Sequence, residues 1–126
     1  MNKRAKALGR LPAGTMNKTE AAYAAVLEAE KQAGLVAWYV FEGITLKLAS
    51  NTRLTPDFAV MKTNGELEMR EVKGFMMDDA WVKLKVAATS YPFPFFVIRK
   101  KTAKDGGGWS SEIGRASCRE RVLVAV

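Results

Sequence analysis

The chain has 126 residues, enough for one domain around a single core and too few for two. Hydrophobic residues make up 48% and charged ones 26%, the balance of a soluble globular protein, and no apolar run approaches the roughly 20 residues that span a bilayer. A net charge of +7 favours a polyanionic partner, and the lack of histidine excludes a Ser-His-Asp triad, a His-Cys zinc site and imidazole acid–base chemistry.

Residues 1–16 read as a basic, flexible arm. Lys3, Arg4, Lys6 and Arg10 stand there without an acid among the first ten residues, and Gly9, Pro12 and Gly14 disfavour regular structure. No long apolar segment follows these charges, so the arm does not read as a secretory signal. Asn17-x-x-Glu20 predicts a capping box that opens a helix running to about residue 33, with Gly34 placed to end it. Three-four spacing puts Tyr23, Val26, Leu27 and Glu30 on one face, with Glu20 one turn earlier on the same side.

Residues 35–41 form an unbroken apolar and aromatic run, and residues 44–48 alternate, with Gly43 between them. This pattern predicts two strands, or one strand bent at the glycine. Residues 53–61 read as the next strand, which Pro56 should place at an edge or a bulge. Asn64-Gly65 is a hairpin signal, since both residues tolerate positive φ, and residues 66–73 are the hairpin partner. After Gly74, Asp78 or Asp79 can cap a second helix to about residue 90, with Trp81, Leu84 and Ala88 as its apolar stripe. Pro92 stops it, and residues 93–98 read as a final strand buried on both faces.

The expected domain therefore covers residues 17–101 and is α/β (α+β) in class. Its order is helix, three or four strands, helix, strand, and a parallel crossover brings the last strand into a mixed sheet flanked by helices. Residues 102–126 read as a flexible tail. Within it, residues 114–122 resemble translated vector or adaptor sequence and are set aside as non-native. The single cysteine, Cys118, excludes an internal disulfide and fits a reducing cytosol, so a cytoplasmic location is expected.

The chemistry concentrates at Thr55-Pro56-Asp57 and, fourteen residues after Asp57, Glu71-Val72-Lys73. Strand periodicity points Glu71 and Lys73 to one face and Val72 to the other. If the hairpin forms, Asp57, Glu71 and Lys73 converge on one patch of one sheet. Two carboxylates and an amine there can hold a divalent ion and steer a water at a phosphodiester.

This constellation resembles the PD-(D/E)XK nuclease superfamily, and most of all its small phage-type endonucleases. The residues that carry the resemblance are Asn17-Lys18-Thr19-Glu20, Thr55-Pro56-Asp57-Phe58 and Arg70-Glu71-Val72-Lys73-Gly74. Asp78-Asp79-Ala80-Trp81-Val82-Lys83-Leu84-Lys85 and Tyr91-Pro92 followed by Phe95-Phe96-Val97-Ile98-Arg99 add to it. It covers about residues 16–101. The resemblance implies a restriction-endonuclease-like core in the order α-β-β-β-α-β and an Mg²⁺-dependent endonuclease acting on DNA, including branched or junction DNA in phage replication or recombination. It implies Asp57 and Glu71 as metal-binding carboxylates, with the Val72 carbonyl a further ligand. Lys73 would orient or activate the attacking water, and Glu20 would complete the site from the helix. Mg²⁺ suits hard oxygen ligands, and Mn²⁺ should substitute for it. Lys3, Arg4, Lys6, Arg10, Lys18, Lys83 and Lys85 are the expected nucleic-acid contacts, a homodimer is left open, and a phage-encoded chain would work in the host cytoplasm.

Each residue also has a plainer reading. Glu20 can be only the capping-box partner, Asp57 a turn former, and Glu71 and Lys73 a solvated strand face with a cross-strand ion pair. Lys83 and Lys85 can be solvated helix positions. Trp38, Trp81 and the aromatics of residues 93–96 read as core rather than as a base-stacking platform. Taken together, these readings describe a basic DNA-binding domain that has the nuclease fold without its chemistry.

Overall fold

A computed structural model describes residues 14–73 and 78–113, with residues 78–81 described by their backbone alone. Helix α1 (Lys18–Gln32) opens with the expected capping box: Glu20 N–H donates to Asn17 Oδ1 at 2.8 Å and Asn17 N–H donates to Glu20 Oε1 at 2.9 Å. It closes at Gly34, whose φ of 84° costs a glycine nothing. There the N–H groups of Gly34 and Leu35 donate to the carbonyls of Lys31 and Glu30, which satisfies two orphan acceptors of the last turn.

Strands β1 (Val36–Phe41), β4 (Phe58–Lys62), β5 (Leu67–Val72), β6 (Phe95–Lys100) and β7 (Trp109–Ile113) make a five-stranded sheet in the order β1-β4-β5-β6-β7. β1–β4, β4–β5 and β6–β7 are antiparallel, while β5–β6 is parallel and reached through helix α2 (Asp78–Ser90). β2 (Leu46–Ala49) and β3 (Thr52–Leu54) form a separate antiparallel ribbon. The mixed sheet and its crossover match expectation. The hairpin forms too, but through the three-residue loop 63–65, in which only Gly65 takes a positive φ.

The sheet is buried on both faces. Phe58, Val60, Val72 and Ile98 pack against Tyr23 and Leu27 of α1. Ala59, Met69, Phe95 and Val97, which alternate with them, pack against Leu84, Ala87 and Ala88 of α2. Helices therefore cover opposite faces. No helix among the described residues is long and apolar enough to cross a membrane.

Several expectations are corrected. Five strands, not three or four, precede α2, and the order is α-β-β-β-β-β-α-β, followed by a 3₁₀ turn (Ala103–Asp105) and β7. The run 53–61 is not one strand. Pro56 has no N–H for a ladder, so the chain breaks there into β3 and β4, and β4 lies inside the sheet rather than at its edge. The alternative of one strand bent at Gly43 is likewise replaced by two strands in different sheets. The strand after α2 is not the last, and the domain does not stop at residue 101. β7 pairs with β6, and Trp109 meets Tyr23 edge-on with ring centroids 5.1 Å apart. Its Ser110, Ser111 and Glu112 are exposed, as suits an edge strand, and that masked it as tail. Trp38 is 41% exposed on the edge strand β1 rather than core. The arm's Lys3, Arg4, Lys6 and Arg10, the side chain of Trp81 and residues 114–126 lie outside the described residues.

Candidate functional site

β4 and β5 run side by side as far as the pair Phe58↔Arg70. One step further the same register sets Asp57 opposite Glu71, and directly opposed residues of an antiparallel pair point to the same face. There the β4–β5 ladder ends, while on its other edge β5 stays paired with β6 through Glu71↔Val97 and Val72↔Ile98. The fork between them leaves backbone donors that no ladder satisfies, and the two carboxylates take them. Asp57 N–H donates to Glu71 Oε1 at 2.9 Å, and Val72 N–H donates to Asp57 Oδ2 at 2.8 Å. The carboxylates thus lock the two strand ends to each other.

Glu71 and Lys73 continue the face of Met69, the α2 side of the sheet. Lys73 Nζ stands 3.5 Å from Glu71 Oε2, so this pair lies along one strand. Asp57 is 6% and Glu71 8% exposed, which rules out the reading of Glu71 as a solvated strand position. Val72 buries its side chain against α1. Lys73 N–H goes to Ile98 on the β6 side, so the N–H and C=O of Val72 both face the β4 side, toward Asp57.

Burial first, and then the Glu71 charge, pushes the Asp57 carboxyl up to about 8, against the lowering pull of the Val72 N–H and Lys73. Burial also raises Glu71, although Lys73 and the Asp57 N–H oppose it. Two carboxylic acids so placed resist full ionisation unless a cation joins them. Their oxygens and the Val72 carbonyl are hard ligands of the kind Mg²⁺ or Mn²⁺ accepts. The donor set fits such an ion.

Glu20 is not brought into the pair. Among the described residues no three acidic side chains converge to make a ready cation cage. The capping box holds its Oε1 on Asn17 N–H at the start of α1. Its charge nevertheless reaches both Asp57 and Glu71 and helps to raise them. Of the expected nucleic-acid contacts, Lys18 and Lys83 are exposed and Lys85 is half-buried.

Sequence reasoning missed the structural work of the two carboxylates at the strand fork. The Asn64-Gly65 pair signalled the hairpin but not its register. Counted outward from a two-residue turn Asp57 faces Val72, whereas the three-residue loop 63–65 sets it against Glu71. No protein-family model matches the chain, and no curated protein or solved structure matches it significantly.

Proposed function

We propose that this chain is a divalent-metal-dependent endonuclease that hydrolyses DNA phosphodiester bonds at Asp57, Glu71 and Lys73, on a restriction-endonuclease-like core. The observation that carries the reading is the buried, register-opposed carboxylate pair with a lysine beside it. Such a pair is costly in an isolated fold, and strongly raised carboxylates cluster at functional sites. Asp57, Glu71 and the Val72 carbonyl would hold the ion, which when bound would supply charge stabilisation and a more acidic water.

The chain's own residues then divide the work. Asp57 Oδ2 and Glu71 Oε1 are held in place by strand-end N–H groups, so the site is pre-set rather than assembled on binding. Glu71 Oε2 faces the Lys73 ammonium at 3.5 Å and would take a proton from the attacking water. As the water oxygen bonds to phosphorus and the bond to the leaving oxygen breaks, the Lys73 ammonium offsets the charge growing on the phosphoryl oxygens, and a solvent water gives the leaving oxygen its proton. Glu20 adds negative potential from the helix start and thereby favours cation binding.

One observation favours a second reading, a basic DNA-binding domain without catalysis. Both carboxylates already serve backbone donors, a role that needs no ion. Incubating plasmid and a four-way junction with the protein and Mg²⁺, with and without EDTA, separates the two. Cleavage that EDTA abolishes supports the enzyme; binding without cleavage in Mg²⁺ or Mn²⁺ overturns it.

A further inference from the structure

The β2–β3 ribbon carries two cations directly opposite each other. Lys47 and Arg53 are register partners, so their side chains leave the same face, and both are exposed. The neighbouring pair Leu46↔Leu54 points the other way, where both leucines join the α2-side core. The ribbon is thus amphipathic, with an apolar underside and a cationic upper face.

Like charges directly opposed across two strands destabilise a hairpin. Neither Lys47 nor Arg53 has an ion-pair partner among the described residues. The ribbon is nonetheless held firmly. Tyr91 O–H donates to the Lys47 carbonyl at 2.6 Å, which ties β2 to the end of α2. The Thr45 and Thr55 hydroxyls meet at 2.8 Å across its base. A repulsive pair on a fixed support becomes favourable once an anion lies between the two charges.

The ribbon also leads straight into the candidate site. Arg53 is four residues before Asp57, so their Cα atoms are at most about 14 Å apart. We propose that Lys47 and Arg53 form a phosphate clamp that grips the sugar-phosphate backbone of a nucleic acid as it approaches Asp57 and Glu71. The clamp rests on the nuclease reading for its substrate, but it makes a separate claim about which cations hold that substrate. An acidic peptide would need only the charge. A polynucleotide also accounts for a cation pair whose Arg53 lies four residues before Asp57 of a carboxylate pair fitted to a divalent ion.

The test is the salt dependence of binding to a labelled DNA duplex, measured by anisotropy in EDTA so that nothing is cut. Each lost phosphate contact should flatten the slope of log K against log salt by about 0.9, so Lys47→Ala with Arg53→Ala should flatten it by about 1.8. Lys31→Ala, at the far end of α1, should leave the slope unchanged. Arg53→Glu supplies Lys47 with an opposite partner, so it should raise Tm while weakening binding at least tenfold, which separates lost binding from lost folding. Wild-type slope and affinity in the double variant would overturn the clamp and leave the nuclease reading standing. A lowered Tm in Arg53→Glu would overturn the argument from repulsion. A flattened slope in a protein that never cuts in Mg²⁺ would support the clamp and sink the nuclease. No binding by the wild-type chain at low salt would overturn both.

Discussion

Glu71 Oε2 and Lys73 Nζ, two residues apart on one sheet face, stand 3.5 Å from each other at the point where β5 leaves β4. Lys73 is one-third exposed, so its ion pair with Glu71 contributes little to stability. Its position beside the buried pair is what matters for chemistry. Lys73→Ala should therefore lower single-turnover cleavage by about 100-fold or more while leaving DNA affinity nearly intact, one cation lost among many. Unchanged cleavage would remove Lys73 from the mechanism.

The pH dependence of the metal-free protein follows from Asp57. Its pKa rises from 3.8 to about 8 on folding, so between those values the folded state holds a proton that the unfolded chain has released. The stability this group contributes is complete below the unfolded value and is lost as pH rises through the folded one. Melting in EDTA should give a lower Tm at pH 8 than at pH 5.5. Asp57→Asn keeps an oxygen for the Val72 N–H and loses the charge, so it should melt higher than wild type at pH 8 and lose less on going up in pH. A wild-type Tm that is flat across this range would contradict the raised carboxyl.

A cation should reverse that loss. Mg²⁺ or Mn²⁺ competes with protons for the Asp57–Glu71 pair, so it should raise Tm more at pH 8 than at pH 5.5. Glu71→Gln and Asp57→Asn should each abolish both the shift and the cleavage. Equal stabilisation of wild type and Asp57→Asn would place the ion elsewhere.

Glu20 separates capping from catalysis. Glutamine serves a capping box nearly as well as glutamate, so Glu20→Gln should leave stability almost unchanged, whereas Glu20→Ala should cost about 1 kcal/mol. If its negative potential helps to hold the cation, Glu20→Gln should weaken Mg²⁺ dependence and cut turnover by less than Asp57→Asn does. Identical metal dependence in Glu20→Gln and wild type would confine Glu20 to the cap. Urea melts and Mg²⁺ titrations of cleavage read the two roles apart.

On the opposite face, Arg70 anchors α1 to the sheet and plays no part in the proposed chemistry. Its Nη1 donates to Tyr23 Oη at 2.7 Å, and its Nε and Nη2 donate to Glu68 Oε1 at 3.2 and 2.9 Å. Glu68 is only 7% exposed and, among the described residues, keeps just Lys62 Nζ, 3.5 Å from its Oε2, once Arg70 is gone, so Arg70→Ala should cost about 2 kcal/mol in urea melts. Tyr23→Phe removes one of these bonds and should cost about 1 kcal/mol. Equal costs for both would show that Glu68 stays satisfied without Arg70.

What the sequence alone determined is what short stretches of backbone dictate. Asn17 and Glu20 cap α1, Gly34 ends it, and Asn64-Gly65 turns β4 into β5, because each depends on dihedral preferences and hydrogen bonds within a few residues. That Asp57 lies near Glu71 and Lys73 was legible from the hairpin signal, but their common face was not. A two-residue turn at Asn64-Gly65 would oppose Asp57 to Val72, and only the three-residue loop 63–65 opposes it to Glu71. Tertiary structure decided the rest. Ser110 and Ser111 show no apolar period, and they become part of a strand only because β6 offers an edge to pair with. Trp38 reads as core in a run of apolar residues, yet its strand lies at the edge of the sheet, where that face stays open. That Asp57 and Glu71 each accept a backbone N–H of the other's strand, and are raised by their burial, depends on where the β4–β5 ladder ends while β5 stays paired with β6. Which strand pairs with which is settled by burial across the whole sheet, and no local pattern records it.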